Sequence, residues 1–155
     1  MMLGLVLVTH APLGQAIASC VQHVMGSMPE GFQFVDVEAD SNIDHTVLRI
    51  QQAARAVDAG MGVVFLTDLF GATPSNAAVR AGNESLNLPT VLVSGCNLPM
   101  VLRALGFRNM AISEVAERLV AGGRNGIVST GATAPQHPII NSAAQDDSAR
   151  NHHQQ

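Results

Sequence analysis

The chain has 155 residues, enough for one domain of ordinary size. All eight basic residues are Arg, set against twelve Asp and Glu for a net charge of −4. A Lys/Arg-rich surface that tracks nucleic-acid phosphates is therefore excluded, as is the Walker-type nucleotide loop, which needs a Lys. Hydrophobic residues make up 47 % of the chain, yet Tyr and Trp are absent, so the core is aliphatic and aromatic platforms for bases or sugars lack their usual material.

Residues 3–9 form a short, continuous apolar run, the pattern of a strand buried on both faces of a parallel sheet. Leu13, Ile17, Cys20, Val21 and Val24 then recur at helical spacing, opposite Gln15, Ser19, Gln22 and His23, and Gly26 stops this helix. Residues 32–38 alternate as a second strand nearer an edge. Ile43, Val47, Ile50, Ala54 and Val57 make a second helical stripe, ended by Gly60. Residues 61–67 are a third strand, apolar almost throughout. Asp68-Leu69-Phe70-Gly71-Ala72-Thr73-Pro74-Ser75-Asn76 follows, with Thr73 as a helix N-cap and Pro74 at the first helical position. A small-residue helix runs on through Ala77, Ala78 and Ala81. Residues 88–95 read as a fourth strand, Asn97 with Pro99 opens a helix, and Ser113-Glu114 opens another whose acids lie early and whose Arg lie late. Residues 126–130 read as a short last strand. Beyond residue 131 the composition shifts to Ala, Gln, Asn, Ser, His and Pro, which predicts a domain over residues 1–130 and a disordered tail over residues 131–155.

Regular alternation of strand and helix predicts an α/β fold: a doubly wound, mainly parallel sheet, of order about 2-1-3-4 plus the short edge strand, with helices on both faces. The two Cys, Cys20 and Cys96, lack zinc spacing and read as buried thiols of a reducing compartment. No stretch approaches the ~18 apolar residues of a membrane span. The opening apolar run has no basic residue before it, so a cytoplasmic protein is expected.

Ligands of such sheets bind beyond the carboxyl ends of the strands, where strand order reverses. His10 ends the first strand and Asp68 follows the third, and in the order 2-1-3-4 these strands are neighbours. A carboxylate that accepts a hydrogen bond from one imidazole nitrogen fixes the tautomer and leaves the other nitrogen free as a nucleophile. Gly71 allows close backbone approach, and Thr73, Ser75 and the amides that open the helix can hold phosphate oxygens. Either His10 or Asp68 alone would be an unremarked strand-end residue. Together with the anion donors they point to phosphoryl transfer through histidine, with no metal or other cofactor. His23 and His45 fall on polar helix faces and read as solvated, and Cys96, in a chain without Lys, is not a catalytic thiol.

Three stretches carry a resemblance: residues 4–10, residues 64–78 with their Asp-x-x-Gly-x-Thr-Pro-x-Asn core, and Gly95-Cys96-Asn97-Leu98-Pro99-Met100 together with the helix after it. Over about residues 2–128 the chain resembles an enzyme IIA domain of the mannose–fructose–sorbose class of the bacterial phosphoenolpyruvate-dependent sugar phosphotransferase system (PTS). The resemblance implies that His10 accepts a phosphoryl group from phospho-HPr and passes it to a IIB partner on a separate chain for carbohydrate uptake. It implies that Asp68 orients the ring, that Thr73 is the hydroxyl residue of the loop, and that the protein is a homodimer. Thr9, Phe70 and Asn97 are expected to line the site. The family loop commonly reads Gly-Gly where this chain has Gly71-Ala72, and Ala72 costs about 1 kcal/mol if its position requires positive φ. Three other readings stay open at this stage. One is a regulatory phosphoprotein of the same fold that signals phosphorylation state, another is a small-molecule binding domain without chemistry at His10, and the third is a dihydroxyacetone-kinase phosphocarrier.

Overall fold

The computed structural model describes residues 1–84 and 86–131. Its elements in chain order are β1 (Gly4–His10), α1 (Leu13–Met25), β2 (Phe32–Val37), α2 (Ile43–Val57), β3 (Val63–Thr67), α3 (Thr73–Asn83), β4 (Thr90–Ser94), α4 (Leu98–Gly106) and α5 (Ile112–Asn125). The four strands pair in the order β2-β1-β3-β4, all parallel, as expected from the alternation of elements. The register sets Leu7 beside Phe34 and Leu66, and Thr67 beside Ser94.

Because side chains alternate across a strand, each strand feeds two cores. Leu5, Leu7, Val64, Leu66 and Val93 pack against Ile17 and Val21 of α1, Met100 and Val101 of α4, and Val115 and Leu119 of α5. Val6, Val8, Val35, Val63 and Phe65 pack on the other face against Val47, Ile50 and Ala54 of α2 and Ala77, Ala78 and Ala81 of α3. The small residues Ala77, Ala78 and Ala81 are fully buried where α3 packs on the sheet.

Several expectations are displaced. The buried stripe of α1 is Gly14, Ile17, Ala18 and Val21, while Leu13, Cys20 and Val24 are exposed. The face is rotated because the small residues Gly14 and Ala18 take the positions closest to the sheet. Cys20 is therefore not a buried thiol, and Cys96 is half-buried. α2 ends at Val57, ahead of Gly60, where Asp58 takes the cap position and its carboxylate accepts the amides of Gly60 and Gly62. Residues 126–130 form no strand. They join no strand among the described residues, the Gly126 and Ile127 amides bonding back to the end of α5 instead, and Ile127 and Val128 are 76 % and 74 % exposed. Their β-prone composition finds no sheet edge to join, and a strand needs a partner for its backbone groups. The expected tail, apart from residue 131, lies outside the described residues. No helix among the described residues is long and apolar enough to cross a membrane.

Candidate functional site

At the carboxyl end of the sheet, β1 and β3 lie side by side and bring His10 and Asp68 into contact. The His10 Nδ1 lies 2.8 Å from Asp68 Oδ2, and the same carboxylate oxygen accepts the His10 backbone N–H at 3.0 Å. Asp68 Oδ1 accepts the Leu69 amide at 2.9 Å. Burial tends to raise the Asp68 carboxyl, but the hydrogen bonds from the His10 amide, the His10 ring and the Leu69 amide, with the attraction of the ring, outweigh it and hold the group below its ordinary value. Asp68 is thus ionised at neutral pH and can only accept, so Nδ1 carries a proton, and in the neutral imidazole Nε2 presents the lone pair. The His10 side chain is 49 % exposed, against 14 % for Asp68: the imidazole faces outward and the carboxylate that orients it is sheltered.

The loop after Asp68 delivers a helix start to the same place. Gly71 has φ +81°, a conformation that an L side chain adopts only with strain, and it turns the chain into α3. Ala72 has φ −80° and ψ 173°, ordinary extended backbone, so Ala in place of the second glycine carries no conformational cost. Ala72, not Thr73, occupies the N-cap position, and Pro74 stands one place further along, in the first turn. The cap shifts because Asn76 N–H bonds to the Ala72 carbonyl, which starts the helical ladder one residue early. The amides of Thr73 and Ser75 remain the ones that a helix start leaves over, and no acidic side chain occupies this first turn. The Thr73 side chain is exposed at the helix start, while Ser75 is 1 % exposed and its Oγ accepts the Gly71 N–H at 3.1 Å. The Ser75 hydroxyl therefore braces the loop from beneath, together with Asn76, whose Nδ2 donates to the Gly71 carbonyl at 3.0 Å.

The remaining expected site residues divide. Phe70 stands in the loop after Asp68, 77 % exposed, next to Leu69 at 61 %. Thr9 does not face the His10–Asp68 pair: it is fully buried, and its Oγ1 donates to Asp36 on the sheet face opposite to that of His10. Strand alternation is the reason, since neighbours in a strand point to opposite faces. Asn97 is engaged at both ends of its amide. Its Oδ1 caps α4 through the Met100 N–H at 2.9 Å, and its Nδ2 donates to the Gly123 carbonyl of α5 at 3.0 Å. Burial and the nearby Asp68 charge push the Cys96 thiol up to about 11, consistent with an unreactive side chain. His23 and His45 are exposed, as expected of polar helix faces. Among the described residues no three His, Cys, Asp or Glu converge in a metal-ligating group.

This site sits on a chain whose residues 4–120 match the family model EIIA-man, described as the PTS system fructose IIA component. The chain belongs to that family. The mannose-specific EIIAB component of the PTS of Escherichia coli is 24 % identical over 129 residues, 82 % of this chain but 39 % of that protein. The chain thus spans about two fifths of the length of the curated relatives it matches. Among solved structures, phosphotransferase system component EIIA from Streptococcus agalactiae superposes with a TM-score of 0.74 at 22 % identity, covering 83 % of this chain and 97 % of that one. The mannose/sorbose-specific IIA subunit from Enterococcus faecalis gives 0.71 at 23 % identity, covering 89 % and 100 %. At these identities the two structures establish the PTS IIA fold for the chain.

Proposed function

We propose that this PTS IIA family member is a phosphohistidine carrier, taking a phosphoryl group from phospho-HPr on His10 and passing it to a separate IIB protein for carbohydrate uptake. The observation that carries this is the 2.8 Å contact of His10 Nδ1 with Asp68, which leaves Nε2 as the free, outward-facing nucleophile. Nε2 attacks the phosphorus in line, the Nε2–P bond forms and the donor's N–P bond breaks. The transition state is loose, so catalysis is positioning and charge stabilisation. The imidazole gains positive charge as the bond forms, and the Asp68 carboxylate stabilises it. The amides of Thr73 and Ser75, with the Thr73 hydroxyl, hold the equatorial oxygens, and Gly71 shapes the loop that presents them. No proton changes hands, since Nδ1 keeps its proton throughout. Phe70 at the rim meets the partner protein.

The test is phosphoenolpyruvate, enzyme I and HPr incubated with the chain, followed by intact mass, with His10→Ala in parallel. One added phosphate on the wild type and none on the variant is expected. A folded wild type that stays unlabelled with a cognate donor, or an equally labelled variant, would sink the proposal. Sedimentation equilibrium checks the homodimer that family membership suggests, with two copies per particle expected.

A further inference from the structure

We propose that Asp36 is a positioning residue for the chemistry at His10, a role that rests on reading His10 as the phosphoryl acceptor. Asp36 stands in β2, in register with Thr9 of β1. Its Oδ1 accepts the Thr9 hydroxyl at 3.2 Å and the Gly14 amide at 2.8 Å, and its Oδ2 accepts the Gln15 amide at 3.2 Å. One carboxylate thus holds the residue just before His10 and the helix start just after it. The His10-Ala11-Pro12-Leu13 segment is strung between two posts on the same side chain.

This arrangement answers a need of the sequence. Pro12 occupies the N-cap of α1 and offers no side-chain acceptor, so the helix start takes its cap from another strand. Gly14 permits the close approach: a Cβ there would lie 2.6 Å from Asp36 Oδ1 and 2.9 Å from Thr9 Oγ1. From α2, Arg49 Nη1 donates to the Asp36 carbonyl at 3.1 Å and holds the backbone in place.

Two consequences follow for His10. Asp68 sets the ring orientation, whereas Asp36 sets where the strand end sits relative to α1, and a nucleophile needs both. Further, the Gly14 and Gln15 amides in the first turn of α1 already face a carboxylate. The start of α3, with no acid in its first turn, is the one better placed to attract the anionic phosphoryl group.

The test uses the full chain with Asp36→Asn, Thr9→Val and Thr9→Ser. Two readouts are taken: the His10 Nδ1 proton by NMR in unphosphorylated protein, and single-turnover labelling by phosphoramidate across donor concentration. In Asp36→Asn and Thr9→Val the Nδ1 proton signal broadens, and the maximal rate falls about tenfold with half-saturation unchanged, as expected when a nucleophile is misplaced rather than a donor site lost. Thr9→Ser, which keeps the hydroxyl, restores both. A wild-type Nδ1 signal and maximal rate in folded Asp36→Asn would overturn the proposal, as would a rate loss that matches only the unfolded fraction at the assay temperature. If Asp36→Asn fails to fold, Thr9→Val decides, because it leaves the α1 cap in place. A wild type that no donor labels removes the phosphocarrier reading, and the NMR comparison still decides whether Asp36 orders His10.

Discussion

Asp68 gathers three donors on one carboxylate, two of them from His10, and this settles the charge of the carboxylate and the tautomer of the neutral ring. The consequence for pH is direct. Its value in the fold lies below that of the unfolded chain, so its stabilising contribution is complete above the ordinary carboxylate value of about 4 and disappears as pH falls through the depressed value. Asp68→Asn is therefore expected to lower the urea midpoint at pH 7, with the gap to wild type closing on acidification. It is also expected to slow labelling of His10 about a hundredfold by removing the charge that faces the ring. Labelling at the wild-type rate would remove Asp68 from the mechanism. At this scale His10 and Asp68 were legible because residue type and position at a strand end suffice to place them. Thr9, Ser75 and Asp36 were not, because what decides their role is the sheet face or layer they reach, and one residue of phase inverts it. A signal for Asp36 did exist: an acid inside a strand, and an earlier helix start whose cap position, Pro12, brings no acceptor of its own.

In the proposed mechanism α3 is the element that turns a His–Asp pair into a phosphoryl site. Its start depends on Gly71 at φ +81°, where a Cβ would meet no atom within 4 Å. Gly71→Ala therefore suffers backbone strain alone, an expected loss of about 1 kcal/mol by urea titration. Labelling slows as well, because the loop that presents the Thr73 and Ser75 amides must shift. A variant of unchanged rate would place phosphate binding elsewhere. The helix itself was predictable from Pro74 and the small residues after it. Its true cap was not, since Ala72 has no capping side chain and takes the position only because the Asn76 amide reaches its carbonyl. Asn97 shows the reverse case. Its place after β4 suggested the crevice, but its amide joins α4 to α5 instead, a pairing set by the packing of two helices that no local pattern encodes.

Across the whole molecule, the strand order was legible because continuous apolar runs separated by amphipathic helices admit few parallel arrangements. Residues 126–130 show the limit of composition, since strand-like residues form a strand only where an edge accepts them. The two cores on the faces of the sheet support the site only indirectly. Leu7, fully buried against the α1–α4–α5 face, is expected to cost about 2–5 kcal/mol as Leu7→Ala by urea titration. Labelling of the fraction that remains folded should stay near wild type. A folded Leu7→Ala that cannot be labelled would show that the site depends on more than the strand ends. The most direct test of the central claim is the position of the phosphate on the ring, read by heteronuclear NMR of the labelled, base-stable protein. Because Nδ1 is bound to Asp68, the phosphoryl group is expected on Nε2 of His10. Phosphate on Nδ1, or on any other residue, would contradict the account.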